Sequence, residues 1–218
     1  MIPRNPDTMP LIEPGKNAPA FRLPDAEEKI HSLAPLKGRH VVLYFYPKDD
    51  TSGCTLEACQ FRDLLPKFDA AKAVVIGVSP DGTASHAKFA RKHGLDFTLL
   101  ADEPGDDGTP PTCDAFGTWQ EKSMYGRKYF GVVRTTYLIG PDGKVVRRWD
   151  KVSVPGHAAD VLAALGGKSE KVADASVGKV MKSAVAKKVA KVAKAAKSKK
   201  VTKVAKSSPA RSARRARG

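Results

Sequence analysis

Four side chains within thirteen residues could do chemistry together: Pro47, Thr51, Cys54 and Cys59. The apolar run at residues 40–46 reads as a buried strand. A turn-rich segment of Pro, Asp, Ser and Gly then delivers Cys54 to the start of a helical stretch. Unpaired backbone N–H groups and the positive end of the helix dipole favour a thiolate there, and the thiolate is the nucleophilic form of cysteine. Pro47 stiffens the approach, and the Thr51 hydroxyl, three residues before the sulfur, can donate to it. The plainer reading of either cysteine is a small packed hydrophobe, the more ordinary so for Cys59 in the body of the helix.

The elements needed to position these groups follow from periodicity. Phe61, Leu64, Leu65 and Phe68 recur at helical spacing, so the helix that opens near Ser52 is expected to run to about Ala71. Residues 73–79 form a second apolar strand, and strand, helix, strand makes a parallel right-handed crossover. A helix over 81–92 stopped by Gly94 and a strand at 97–101 come next. Residues 102–112 are an acidic Pro/Gly-rich loop with no evident chemical role, followed by a short helix around 114–116 and a polar loop through 125–128. Two strands, 132–139 and 144–149, flank a Pro-Asp-Gly turn as a hairpin. A last helix spans 155–165. The order implies an α/β, thioredoxin-like fold: a central mixed sheet flanked by helices.

Pro47-x-x-x-Thr51-x-x-Cys54 resembles the active-site signature of the peroxiredoxins, the cysteine-based thiol peroxidases. The wider run from Tyr46 to Cys59 is similar to the peroxiredoxin Q branch, also called bacterioferritin comigratory protein, and the resemblance extends over roughly residues 12–166, including the entry segment at 15–25. It implies that Cys54 attacks a peroxide and becomes a sulfenic acid, with Thr51 helping to hold the substrate, and that Cys59 is the resolving thiol. It also implies a thioredoxin-type dithiol donor. Arg134 matches the family's arginine-bearing strand. Its guanidinium would stabilise charge on the leaving oxygen, unless it merely pairs with an acidic neighbour. Glu57, one turn on from Cys54, suits the helix dipole but would work against a thiolate, so it is expected to point elsewhere. Five helical steps set the two sulfurs ~7.5 Å apart along the axis and on different faces. A disulfide needs Cα atoms within about 7 Å, so the helix must unwind before it closes.

The net charge of +15 is carried by one end: residues 168–218 hold 17 Lys/Arg against 2 Asp/Glu, and the rest is balanced at 21 each. The organisation read from this is a flexible leader at 1–12, a peroxiredoxin-like domain at 13–167, and a Lys/Ala-rich tail at 168–218. The tail lacks aromatic residues and is expected to be disordered or nascent helix. It resembles the tails of linker histones and bacterial histone-like proteins, which implies non-specific nucleic-acid binding. A solvated tail and an anionic membrane surface are the rival readings. The first residues have no apolar core of signal-peptide type, no stretch reaches the ~20 apolar residues of a membrane span, and three cysteines make no disulfide scaffold. The reading from these features is a soluble monomer in a reducing compartment, expected in the cytoplasm, with a nucleoid, or a nucleus in a eukaryote, as the place to which the tail would bring it. Cys113 reads as a structural thiol, and His31, His40, His86, His93 and His157 show no metal spacing, so neither metal nor cofactor is expected. Besides a peroxidase held on DNA, the chain could be a nucleic-acid-packaging protein carrying an idle domain, or a general thiol–disulfide exchanger.

Overall fold

The computed structural model describes residues 9–124 and 126–166. The chain divides into two units, Met1–Lys168 and Ser169–Gly218. The expected basic tail at 168–218 and the first eight residues of the expected leader lie outside the described residues.

Strands β1 (Arg22–Pro24) and β2 (Ile30–Ser32) form a small antiparallel ribbon. Then come β3 (His40–Phe45), α1 (Ser52–Ala70), β4 (Ala73–Ser79), α2 (Thr83–His93), β5 (Thr98–Ala101) and α3 (Pro111–Ala115). The remainder is β6 (Trp119–Met124), β7 (Arg127–Val132), β8 (Thr135–Ile139), β9 (Val145–Asp150) and α4 (His157–Gly166). The central sheet has the order β5-β4-β3-β8-β9, with β3, β4 and β5 parallel and β8 and β9 antiparallel. This is a thioredoxin-like arrangement.

The side-chain period of two along β3 divides the core. Val42, Tyr44 and Tyr46 face a layer built by Cys54, Ala58, Phe61 and Phe68 of α1, Phe89 of α2, and Ala158 and Val161 of α4. Val41, Leu43 and Phe45 face Phe21, Cys113, Phe116 and Tyr137 on the other side. The strand at the centre of the sheet therefore ends with the chain that carries Cys54 into the first layer. At Gly77, in β4, an added Cβ would lie 2.7 Å from the Tyr44 ring and hydroxyl, so the absence of a side chain is what lets Tyr44 lie flat beneath α1. Helix α1 continues through Pro66, which removes one N–H from the ladder, with buried Phe61 and Phe68 holding it from either side. Gly94 closes α2 in the left-handed conformation at φ 59°.

Three expectations need correction. The short helix begins at Pro111, ahead of residue 114, because the buried Asp102 carboxylate accepts from the Thr112 and Cys113 amides at 3.0 and 2.6 Å and satisfies its first donors. Arg127 and Lys128 of the expected polar loop lie instead in β7, which pairs with β6 in a two-stranded ribbon from Trp119↔Val132 to Met124↔Arg127. Its exposed faces give no apolar alternation, which is why periodicity misses it. The single strand expected over 132–139 is divided between β7 and β8, and Val133 and Arg134 form the link between them.

Candidate active site

The chain leaving β3 is pinned to α2 by two successive aspartates. Asp49 is buried and accepts from the Tyr46 hydroxyl at 2.8 Å and the Ser85 hydroxyl at 2.7 Å, with His86 Nδ1 at 2.9 Å. Burial works against its charge, and His86, Ser85 and Tyr46 outweigh burial, holding its carboxyl below the usual carboxylate range. Its own amide donates to Asp81 at 2.8 Å. Asp50, at φ 56°, contacts His93 at 2.8 Å and Lys92. Pro47 and Thr51 are exposed along this segment. Thr51 is the N-cap of α1. Its carbonyl accepts from Thr55 at 2.8 Å, and its hydroxyl donates to the Lys48 carbonyl at 3.3 Å rather than to the sulfur.

Cys54 lies in the first turn of α1, only 1% exposed. Arg134, eighty residues later in the chain, reaches it from the β7–β8 link: Nη2 donates to Sγ at 3.1 Å. Nη1 of the same guanidinium donates to Glu57 Oε2. The expectation that Glu57 points away is therefore wrong. Glu57 is 1% exposed and faces the site, because Arg134 pairs with its carboxylate there. The same guanidinium thus pairs with an acidic neighbour and contacts the sulfur. Burial pushes the Glu57 carboxyl up to about 7 against the downward pull of Arg134. Burial pulls Arg134 down, and Glu57 and Cys54 more than compensate, raising it. Tyr44 forms the floor, stacked 4.8 Å from Phe61 and 5.4 Å from Tyr46, with burial first and the charge of Glu57 second pushing its hydroxyl well up.

Cys59 is on the same unbroken helix, partly exposed, and the three thiols are free. Cys113 is fully buried on the opposite face of the sheet, where burial pushes its thiol well up. Among the described residues no cluster of three or more His, Cys, Asp or Glu could hold a metal, and no helix is long and apolar enough to cross a membrane.

Glu57, Tyr44 and His157 are the residues near this site that sequence reasoning does not assign to it. His157, at the start of α4, contacts the Thr136 hydroxyl at 2.8 Å. Burial, then the charge of Arg134, lowers its value from 6.5 to about 4. Because the folded value lies below the unfolded one, the native state binds fewer protons between those limits. The contribution to stability is complete above pH 6.5 and is lost as pH falls toward 4. Urea unfolding over that range should show the stability advantage of wild type over His157→Gln shrinking by about 3 kcal/mol on acidification. Parallel curves would refute this assignment. Glu57 acts in the opposite sense, favouring the folded state below about 7, so the comparison must be made against the single variant.

With this geometry established, similarity to known proteins is informative. The AhpC/TSA family matches residues 14–148. A putative peroxiredoxin Bcp of Coxiella burnetii is 47% identical over 154 residues, 71% of this chain and 99% of that one. Peroxiredoxin Bcp of Bacillus subtilis is 43% identical over 160 residues, 73% of this chain and 99% of its own length. Among solved structures, Xanthomonas campestris bacterioferritin comigratory protein, studied for alkyl peroxide reduction, superposes with a TM-score of 0.62 at 44% identity, covering 67% of this chain and 90% of that one.

Proposed function

Given that the chain belongs to the AhpC/TSA family, in its peroxiredoxin Bcp/Q branch, and is a thiol peroxidase, we propose the following assignment of roles. Cys54 is the peroxidatic thiol, Arg134 the cation that serves it, Pro47 and Thr51 the groups that shape the substrate's approach, and Cys59 the resolving thiol. The observation that carries this reading is the 3.1 Å contact from Arg134 Nη2 to Cys54 Sγ at the helix start.

The chemistry follows from that contact. The Cys54 thiolate attacks one peroxide oxygen, forming an S–O bond as the O–O bond breaks, and the leaving oxygen departs with a proton as water or an alcohol. A guanidinium beside the sulfur is placed to meet the negative charge that develops on the leaving oxygen. The Cys59 thiol then displaces hydroxide from the Cys54 sulfenic acid, giving a disulfide and water. Closure requires the first turns of α1 to unwind, since an intact helix keeps residues five apart on different faces. A thioredoxin-type dithiol returns the disulfide to two thiols. Hydrogen peroxide and organic hydroperoxides are the substrates in this reading, and the similarity to a protein studied for alkyl peroxide reduction supports the second class.

The basic residues of 168–218 hold this monomeric enzyme on nucleic acid without sequence preference, in the cytoplasm or on the nucleoid. Support comes from composition, 17 cations against 2 acids. The packaging-protein alternative, in which the front domain is idle, loses its ground once the chain is a peroxidase.

One experiment tests both parts. Full-length chain and a chain ending at residue 167 are treated with stoichiometric peroxide, mapped by mass spectrometry, and passed over DNA. A Cys54–Cys59 disulfide is expected in both, and DNA retention in the full chain alone, weakening ~10³–10⁵-fold between 50 and 200 mM salt. A disulfide involving Cys113 would refute the pairing, and DNA retention by the shortened chain would refute the role of the tail.

A further inference from the structure

Arg134 is not held by the sheet. Val132 closes β7 and Thr135 opens β8, so the catalytic guanidinium hangs from a two-residue link between strands of two different sheets. Such a link needs its own restraints if the arginine is to keep one nitrogen on a sulfur and the other on a carboxylate. Three are present. The Val133 amide donates to the Thr118 carbonyl at 2.8 Å, the Thr135 hydroxyl donates to the Val133 carbonyl at 3.0 Å, and the Lys122 ammonium donates to the Val132 carbonyl. Only the third brings a charge. Lys122 belongs to β6, in register with Tyr129, and its stem runs over Gly131, where an added Cβ would lie 3.7 Å from it. Among the described residues its ammonium forms no ion pair, although Glu121 beside it pairs with Lys128.

A half-buried ammonium with no carboxylate of its own is unfavourable unless other partners compensate it. Its partner is the Val132 carbonyl, directly before the link whose guanidinium donates to Glu57 and to Cys54 Sγ.

We propose that Lys122 is the positioning residue for Arg134, its ammonium gripping the Val132 carbonyl so that the arginine link is fixed. The inference rests on the role of Arg134 given above. Burial, and then Arg134, lower the ammonium's proton affinity while Cys54 raises it, as expected for a cation near both groups. Nothing in the local sequence of β6 singles Lys122 out, because its importance comes from where the ribbon folds back.

The test uses full-length Lys122→Met and Lys122→Arg. Three quantities are measured: the second-order rate of Cys54 with hydrogen peroxide by stopped flow, the rate of Cys54 alkylation by iodoacetamide at neutral pH, and the melting temperature. Lys122→Met is expected to lose about tenfold in both rates, the effect of a loosened link that positions the guanidinium less well. Lys122→Arg, which keeps a charged donor, is expected to recover most of the loss. Lys122→Met reacting at the wild-type rate would overturn the proposal, as would Lys122→Arg being equally slow. Alkylation needs no peroxide, so a wild-type chain inert to peroxide would count against the Arg134 reading without hiding the Lys122 result.

Discussion

Replacing Cys54 by serine is expected to abolish peroxide consumption, a loss of at least ~10⁴-fold in stopped-flow assays, because the hydroxyl of serine is a poor nucleophile with no base placed to activate it. Replacing Cys59 instead should leave the first step intact and stop the cycle after it. The Cys59→Ser chain should consume one equivalent of peroxide at the wild-type rate and hold a Cys54 sulfenic acid that a dimedone probe traps. Burial sharpens this contrast. Cys113, buried on the far face of the sheet, cannot substitute for Cys54. Peroxide turnover surviving Cys54→Ser would refute the assigned chemistry altogether. Multiple turnovers by Cys59→Ser with the same donor would show that reductant attacks the sulfenic acid directly and that Cys59 is not needed.

Cys54 is legible from sequence because everything that marks it is local: an apolar strand, a turn, a threonine three residues back and a helix start. Arg134 needs more, since only a resemblance connects it to a cysteine eighty residues away, and the hydrogen bond itself is a tertiary fact. Glu57 shows the limit of local reasoning. An acid in the first turn has a sufficient explanation in the helix dipole, and that explanation sends the side chain outward. Its buried position depends on Arg134, which comes 77 residues later and makes the burial of a carboxylate tolerable. The fold divides in the same way. The β3–α1–β4 crossover and the β8–β9 hairpin follow from runs of apolar residues and a Pro-Asp-Gly turn. The β6–β7 ribbon, polar on its exposed faces, is visible only once its cross-strand pairing is known. That ribbon is also what carries Lys122 to the arginine link.

Arg134→Met should impair activity and stability through separable causes. Removing the donor from Cys54 is expected to lower the rate with peroxide by ~10²–10³-fold, the usual effect of deleting one preorganised charged donor. Removing the partner of Glu57 leaves a carboxylate 1% exposed with no cation, which costs about 3–5 kcal/mol while that group stays ionised. Glu57 has an escape that the reaction lacks: it can take a proton. Burial already pushes its carboxyl up to about 7 with the arginine present, and loss of the arginine removes the opposing pull. A carboxyl whose folded value lies above its unfolded one gives stability that is complete below about 4.5 and is lost as pH rises through the folded value. The stability deficit of Arg134→Met should therefore be small at pH 5 and large at pH 8 in urea unfolding. Adding Glu57→Gln should remove that pH dependence and restore much of the stability, while the rate stays low. If the second substitution restored the rate as well, Arg134 would be acting only to neutralise Glu57, and the contact to the sulfur would have no catalytic role. A rate that stays low in a stable double variant places the work of Arg134 at the sulfur.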